Sequence, residues 1–231
     1  MKALVLQARL DSSRLPGKAL LPLGSMPLIF RVMEALNNVP VDLRILACPQ
    51  DSVNEFTPLA KKAGFELCAG PKEDVLERYC LAIRKYYISQ VLRATGDNPF
   101  VFADAAGAIN AEGLALSADY AGYAGLPQGA GVEAVKASAL LRAAADAASA
   151  FDREHVCPFL YGHPEHFLLH RPLAPLRWQA PNARLTVDTD EDYKRAQTLY
   201  AALESQVNKE ERHKGSVILK VYRNIFPEPS L

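Results

Sequence analysis

The chain has 231 residues, of which 49% are hydrophobic and 23% are charged, a balance typical of globular proteins. Lysine plus arginine and aspartate plus glutamate each number 26, so no overall basic charge indicates a nucleic-acid or membrane-surface protein. The four cysteines are widely separated, and the sequence shows neither a signal-peptide pattern nor an apolar run of roughly 18 residues, which predicts a cytoplasmic protein without disulfides or membrane contact.

Residues 1–94 alternate short apolar runs with amphipathic segments. Buried strands are predicted at residues 3–6, 43–47, 65–68 and 90–94, and helices at 27–37, 57–63 and 74–85. Thr57 and Pro58 are expected to be the N-cap and first position of the second helix. The alternating order predicts a parallel sheet with helices on both faces, and such sheets bind ligands beyond the carboxyl ends of their strands.

The remaining residues are less regular, with a stretch rich in small residues at 111–125 and a glycine-containing loop at 126–131. Strands are predicted at 131–135, 167–171 and 184–187, and helices at 137–148, 151–161 and 190–203. A polar linker is predicted at 206–215, and the amphipathic tail at 216–226 is expected either to pack as a last helix or to join a partner. Since no internal repeat is found, we predict one domain, residues 1–231, with residues 206–231 as linker and C-terminal tail.

A cluster of cations follows the first strand. Arg9, Arg14 and Lys18 lie within ten residues of loop, together with the hydroxyls of Ser12 and Ser13. Such a concentration at a strand end indicates an anion, most naturally a polyphosphate, although a solvated basic loop is the alternative. The loop contains neither a Walker A motif nor a G-x-G-x-x-G fingerprint.

Two carboxylates could join a metal to those phosphates. Asp97 directly follows the strand predicted at 90–94, and Asp188 ends the one predicted at 184–187. Because Mg²⁺ prefers one or two carboxylates plus phosphate oxygens, the pair is a candidate Mg²⁺ site. Asp97 could equally cap its Asp-Asn-Pro turn, and Asp190 is expected to be a helix N-cap.

Several motifs together resemble a known family. They are residues 7–18 (QARLDSSRLPGK), 73–79 (EDVLERY), 93–99 (RATGDNP), 131–133 (GVE), 153–156 (REHV) and 185–189 (LTVDT). In this order they resemble the cytidylyltransferases that activate sugars for bacterial surface polysaccharides, namely the CMP-Kdo and CMP-acylneuraminate synthetases and the spore coat polysaccharide biosynthesis protein F type. The resemblance extends over residues 1 to about 204.

The resemblance implies a Rossmann-like three-layer α/β/α sandwich of the glycosyltransferase-A type with a mostly parallel sheet. An acceptor oxygen would attack the α-phosphate of CTP and release pyrophosphate, with Mg²⁺ as cofactor. By the family pattern the catalytic residues would be Arg9, Arg14 and Lys18, which together with Ser12 and Ser13 would bind the triphosphate. The nucleotide would also be surrounded by Leu6, Gln7, Ala8, Glu73, Asp74 and Thr95. The metal would be held by Asp97 and Asp188, and the sugar or sugar-acid acceptor would be bound by Glu133 and His155. A homodimer is also expected.

Two departures from the family pattern affect the expected site. Asp11 stands where relatives have a small neutral residue, and a carboxylate so near a triphosphate is electrostatically unfavourable. Gly131 replaces the Asp of an Asp-Val-Glu acceptor loop. Two alternatives therefore stay open: a glycosyltransferase that uses Asp188-Thr189-Asp190 as a D-x-D metal motif, and a catalytically silent nucleotide-binding homologue.

Overall fold

The computed structural model describes residues 1–227, and the last four residues of the predicted tail lie outside the described range. The strands are β1 Lys2–Gln7, β2 Pro22–Leu23, β3 Met26–Pro27, β4 Leu43–Pro49, β5 Glu66–Gly70, β6 Gln90–Thr95, β7 Tyr120–Ala121, β8 Glu133–Lys136 and β9 Leu169–His170. The helices are α1 Leu28–Leu36, α2 Val53–Ala63, α3 Val75–Tyr86, α4 Ala103–Ala115, α5 Ala137–Asp146, α6 Ala150–His155, α7 Pro158–Gly162, α8 Asp190–Gln206 and α9 Gly215–Ile225.

Seven strands form one sheet in the order β5-β4-β1-β6-β8-β7-β9. The first four are mutually parallel, β8 runs antiparallel to both neighbours, and β7 pairs with β9 in parallel. The predicted mostly parallel sheet is therefore confirmed, with β8 as its reversed strand. The separate pair β2–β3 forms a small antiparallel ribbon before α1.

Side chains of the central strands alternate between two apolar layers, as the two-residue period of a strand requires. Leu4 and Leu6 of β1 pack with α1, α2, α4, α8 and α9, whereas Ala3 and Val5 pack with α3, α5 and the α6–α7 region. The three-layer α/β/α arrangement expected from the sequence is confirmed. No helix of residues 1–227 has the length and apolarity needed to cross a bilayer.

Three predictions about where helices and strands lie were wrong. Helix α2 begins at Val53, not Thr57, so Pro58 lies inside it; Thr57 instead donates a hydrogen bond to the Val53 carbonyl (2.7 Å). Residues 184–187 form no sheet strand, because the main chain of this segment bonds to the Gln128 loop across the strand ends. The helix predicted at 151–161 is two short helices, α6 and α7, interrupted at Val156.

Helix α4 was not predicted at all. Its sequence, ADAAGAINAEGLA, is small and weakly polar on every side, so it lacks the contrast between faces that identifies an amphipathic helix. The helix nevertheless buries Ala103, Ala106 and Ile109. Small residues allow its backbone to lie close to the sheet, since a Cβ on Gly113 would be 2.8 Å from the Cβ of Ala121.

Candidate active site

The main cavity opens where the winding of the sheet reverses. Helices α1 and α2 follow β1 and β4 on one face, α3 returns on the other face, and β6 then pairs with the far side of β1. Ligands of open α/β sheets bind at such a point. A cavity of about 280 Å³ lies here. Gly96 lets the strand ends approach, since its N–H donates to the Gln7 carbonyl (2.8 Å) and a Cβ would contact Ala8.

The structure brings most of the predicted site residues to this cavity. Lining it are Gln7, Ala8, Arg9, Ser12, Ser13, Arg14, Lys18, Thr95, Asp97, His155 and Asp188. Leu6, Glu73, Asp74 and Glu133 are not among the lining residues. Residues that were not predicted but line the cavity include Val75, Arg78, Arg93 and Glu154.

The two predicted metal carboxylates meet at Lys18. Its Nζ lies 3.2 Å from Oδ2 of Asp97 and 3.1 Å from Oδ1 of Asp188. Main-chain bonding produces this approach, because the Val187 N–H donates to the Asp97 carbonyl (2.9 Å) and Lys18 donates to the Val187 carbonyl (2.9 Å). The Thr95 hydroxyl donates to the other oxygen of Asp97 (2.8 Å), so this carboxylate is fixed from both sides.

Asp188 also accepts hydrogen bonds from two arginines. Arg14 Nη2 donates to its Oδ1 (2.9 Å) and Arg184 Nη2 to its Oδ2 (2.8 Å), while the Asp188 side chain is only 10% exposed. Burial of this carboxylate is compensated by three cations. Arg14 itself remains 64% exposed and can therefore turn towards a ligand without losing a packed position.

Helix α8 fixes Asp188 in place. The helix begins with a capping box in which Thr189 is the N-cap and Asp192 returns to the cap N–H, so the prediction that Asp190 is the N-cap was wrong. Asp192 also accepts from Arg184 (2.8 Å) and from the Asp188 N–H (3.0 Å). Burial opposes ionisation of Asp192, yet these donors hold the pKa of its carboxyl well below the usual range.

A buried polar network supports the other wall of the cavity. Arg93 Nε and the Tyr79 hydroxyl both donate to Oε1 of Gln7 (3.1 Å each). Arg93 also pairs with Glu133, which accepts from the Tyr120 hydroxyl (2.8 Å). Burial alone would lower the pKa of Arg93, but the Glu133 carboxylate raises it above its usual value. With its oxygen occupied, Gln7 has only its amide N–H groups left for the cavity.

Of the predicted residues outside the cavity, Glu133 and Asp74 have polar partners within the fold. Glu133 is held by Arg93 and Tyr120, as described. Asp74 is the N-cap of α3, accepting from the Glu77 N–H (2.9 Å), and it also accepts from Arg153 of α6 (2.7 Å). Leu6 is completely buried in the sheet, whereas Glu73 is exposed. Of these residues, Asp74 bears on the site indirectly, because it fixes α6 and with it His155.

His155 enters the cavity from the end of α6. The following residue, Val156, has φ +74° and ψ −57°, a strained conformation for a β-branched side chain. The turn is closed by the Cys157 N–H, which donates to the His155 carbonyl (2.9 Å). Complete burial of Val156 maintains this turn and thereby the direction of His155. Glu154 beside it lies 3.7 Å from Arg9 of the cation loop.

The unpredicted residues could in part have been found from the sequence. Arg78 is spaced three residues from Val75 and directly precedes Tyr79, so it falls on the apolar face of α3. Arg93 is an arginine inside an apolar strand. A cation on a buried face needs a partner or a ligand, so an arginine within an apolar pattern could have marked both positions as site residues.

The chain matches the sequence model of the cytidylyltransferase family over residues 3–220. It is 33% identical over 203 residues to the spore coat polysaccharide biosynthesis protein SpsF of Bacillus subtilis, a match that covers 85% of each chain.

Solved structures share the fold. A cytidylyltransferase from Leptospira borgpetersenii superposes with a TM-score of 0.85 at 24% identity, over 97% of this chain and 94% of that one. A CMP-2-keto-3-deoxy-manno-octonic acid synthetase complexed with CTP gives 0.68 at 16% identity, over 87% and 98%. A Mycobacterium tuberculosis protein complexed with manganese gives 0.59 at 15% identity, over 85% and 97%. By its sequence match and its fold, the chain belongs to the cytidylyltransferase family and is a nucleotidyltransferase.

Proposed function

We propose that this enzyme transfers CMP from CTP to a sugar or sugar-like acid. An acceptor oxygen would bond to the α-phosphorus of CTP while the bond from that phosphorus to the bridging oxygen breaks, and pyrophosphate would leave with that oxygen. Phosphoryl transfer of this kind depends on positioning and on neutralising charge rather than on a strong protein nucleophile.

The meeting of Lys18 with Asp97 and Asp188 is the observation that supports this proposal most. The cavity around it is lined by five permanent cations, Arg9, Arg14, Lys18, Arg78 and Arg93, and by four carboxylates, Asp11, Asp97, Glu154 and Asp188. A triphosphate with a divalent cation brings charges of both signs and matches such a mixed surface. Lys18 and Arg14, already beside the carboxylates, would hold the phosphate oxygens and stabilise the departing pyrophosphate.

Asp97 and Asp188 fit a divalent cation, for which Mg²⁺ is our proposal. They share one ammonium group, so a cation placed between them finds oxygen donors on both sides. No cluster of three or more His, Cys, Asp or Glu ligands occurs among residues 1–227. Two carboxylates suit Mg²⁺, which usually completes its coordination with water and substrate phosphates. When bound, the ion would neutralise charge on the phosphates.

His155 would face the acceptor, and the Arg93–Glu133 pair would support that wall of the cavity from behind. The name of the SpsF relative supports a role in surface polysaccharide or glycoconjugate synthesis. The octonic acid synthetase among the fold neighbours supports a sugar acid as acceptor. We place the reaction in the cytoplasm, which suits four buried free cysteines, and a homodimer stays a prediction.

The D-x-D motif on which the glycosyltransferase alternative depends is not supported by the positions of its two aspartates. Asp190 is exposed at the first turn of α8 and does not line the cavity, so Asp188-Thr189-Asp190 does not present two carboxylates to one ligand. Asp188 is instead paired with Asp97, ninety-one residues earlier, through Lys18.

The first prediction concerns Asp97. Pyrophosphate release should be measured with each of the four nucleoside triphosphates and a panel of sugar and sugar-acid acceptors, in the presence of Mg²⁺. We expect release with CTP, and we expect Asp97→Asn to lower kcat by about 100-fold or more, because one charge of the proposed metal site is lost.

Asp190→Asn is the matched control, since it removes an equal charge just outside the cavity and should leave turnover within about twofold. Circular dichroism should show that both variants are folded. The proposal is wrong if no triphosphate and acceptor pair releases pyrophosphate, or if Asp97→Asn is as active as the unchanged enzyme.

A further inference from the structure

Arg78 is a buried cation that forms no ion pair within residues 1–227, and the Asp11 carboxylate acts on it only at longer range. The residue is 2% exposed, and its Nε and Nη1 have no hydrogen-bond partner among residues 1–227. Arg93 and Lys18, which line the same cavity, each have a carboxylate partner. Buried N–H groups without acceptors destabilise the folded protein, so Nε and Nη1 of Arg78 indicate a ligand that supplies acceptors.

The surrounding backbone makes room for this side chain. A Cβ on Gly70, the last residue of β5, would lie 2.8 Å from Arg78 Cγ and 3.0 Å from Leu81 Cδ1. Any residue other than glycine would therefore displace the arginine stem. Burial lowers the pKa of Arg78 from its usual value, as expected for a poorly solvated cation.

Sheet order places Arg78 away from the proposed metal carboxylates. It packs at the end of β5, the outer strand, whereas Asp97 follows β6 on the opposite side of β1. The same cavity is lined by residues from both places. A ligand whose phosphates lie at Lys18 and Asp97 would extend its other end across β1 towards Arg78. Val75, one turn earlier on α3, adds an apolar side chain there.

We propose that Arg78 recognises the base of the nucleotide, donating hydrogen bonds to O2 and N3 of cytosine. This inference rests on the proposed function. A guanidinium has only donors, arranged as a planar fork that suits two adjacent acceptors. Cytosine presents acceptors at both O2 and N3, whereas N3 of uracil carries a hydrogen and would face a donor. The buried arginine therefore selects CTP over UTP, because a mismatched base leaves it unsatisfied.

Binding of CTP, UTP and inorganic triphosphate should be compared by isothermal titration calorimetry at one fixed Mg²⁺ concentration. We expect Arg78→Met to weaken CTP binding by about 10- to 100-fold and to abolish most of the preference for CTP over UTP. Its affinity for inorganic triphosphate should stay within about twofold. Arg84→Met, on the same helix but 56% exposed, is the control and should change none of these affinities.

Thermal unfolding separates recognition from a structural role. Because the charge is unpartnered without nucleotide, Arg78→Met should unfold at a temperature no lower than the unchanged protein, but it should gain much less from added CTP. A drop in melting temperature without nucleotide would mean that Arg78 supports the fold. Gly70→Ala keeps the guanidinium but displaces its stem, and it should reduce CTP affinity while leaving triphosphate affinity unchanged.

The outcomes distinguish the two proposals. If the unchanged protein binds CTP but Arg78→Met keeps its preference over UTP, the role of Arg78 is wrong and the proposed function stands. A parallel loss of inorganic triphosphate binding would make Arg78 a phosphate ligand and would also overturn the inference. If the unchanged protein itself fails to bind CTP, the proposed function fails and the inference with it.

Discussion

Among single residues, Asp11 places a carboxylate in a cavity that otherwise gathers cations. Lys72 Nζ lies 2.6 Å from its Oδ2 and 3.3 Å from Oδ2 of Asp51. Asp11 and Lys72 are both about half exposed, so solvent screens their ion pair and the pair adds little to stability. The contact with Lys72, from the segment after β5, gives Asp11 a partner outside the proposed phosphate site.

Removal of this charge should strengthen anion binding. We expect Asp11→Asn to raise the affinity for CTP by about 3- to 10-fold at low salt, because one like charge near the triphosphate is lost. The gain should shrink in 0.5 M salt as screening increases. Affinities can be measured by calorimetry.

Asp51→Asn is the control for Asp11→Asn. It removes a carboxylate that contacts the same lysine but does not line the cavity, so it should leave CTP affinity nearly unchanged. Equal effects of the two substitutions would mean that Asp11 acts only through Lys72 and not on the nucleotide.

Residue types near strand ends made part of the site predictable. Asp97 and the loop that carries Lys18 could be placed together because the carboxyl ends of β1 and β6 share one edge of the sheet. Asp188 was grouped with them through a strand that does not form, and its position comes instead from the Val187 N–H, which donates to the Asp97 carbonyl. The partners of Glu133 could not, since its pairing with Arg93 depends on β8 lying antiparallel beside β6. Nothing in the local sequence specifies that register.

Helices with one clearly apolar face and one polar face were easier to predict from the sequence than helices without that contrast. Helices α1 and α3 have strong apolar stripes and were correctly predicted. Helix α4 has none, and the segment before Asp188 bonds to loops rather than to strands. Both errors concern structure that is specified by tertiary contacts and not by periodicity.

Helix α9 provides a prediction about packing between elements. A Cβ on Gly215 would collide with the ring of Phe102 and lie 2.8 Å from Trp178 Cδ1. The Gly215 N–H donates to the Asp104 carboxylate (2.9 Å). We expect Gly215→Ala to reduce the free energy of unfolding by about 1–3 kcal/mol, because the start of α9 must move away. Urea unfolding would measure this change.

Gly162→Ala is the matched control, since nothing lies within 4 Å of the added Cβ at that helical position. It should be neutral or slightly stabilising. A Gly215→Ala variant as stable as Gly162→Ala would show that α9 is loosely attached to the sheet.

For the whole molecule, we propose that the chain folds as one domain, as the sequence predicted. The two apolar layers lie on opposite faces of the same sheet and share its strands. Cys48 lies in one layer, whereas Cys68, Cys80 and Cys157 lie in the other, and all four thiols are free and buried. Burial raises the pKa of both Cys48 and Cys80 to about 11, so few reactive thiolates exist in the folded protein.

Thiol labelling during urea unfolding would test this proposal. We expect little reaction in the native protein and simultaneous exposure of all four thiols, with one midpoint that coincides with the loss of circular dichroism. Mass spectrometry of the labelled protein would identify each position. Earlier labelling of Cys48 than of the other three would show that the layers unfold separately.

The position of Lys18 has a consequence for the order in which reactants add to the enzyme. At the proposed metal site, a divalent ion would compete with the Lys18 ammonium group, which already contacts both Asp97 and Asp188. In the proposed reaction the triphosphate would attract Lys18 towards its own oxygens and relieve that competition, so ion and nucleotide would favour each other's binding. The enzyme would thus take up its metal together with the nucleotide, and the free ion alone would compete poorly for the site.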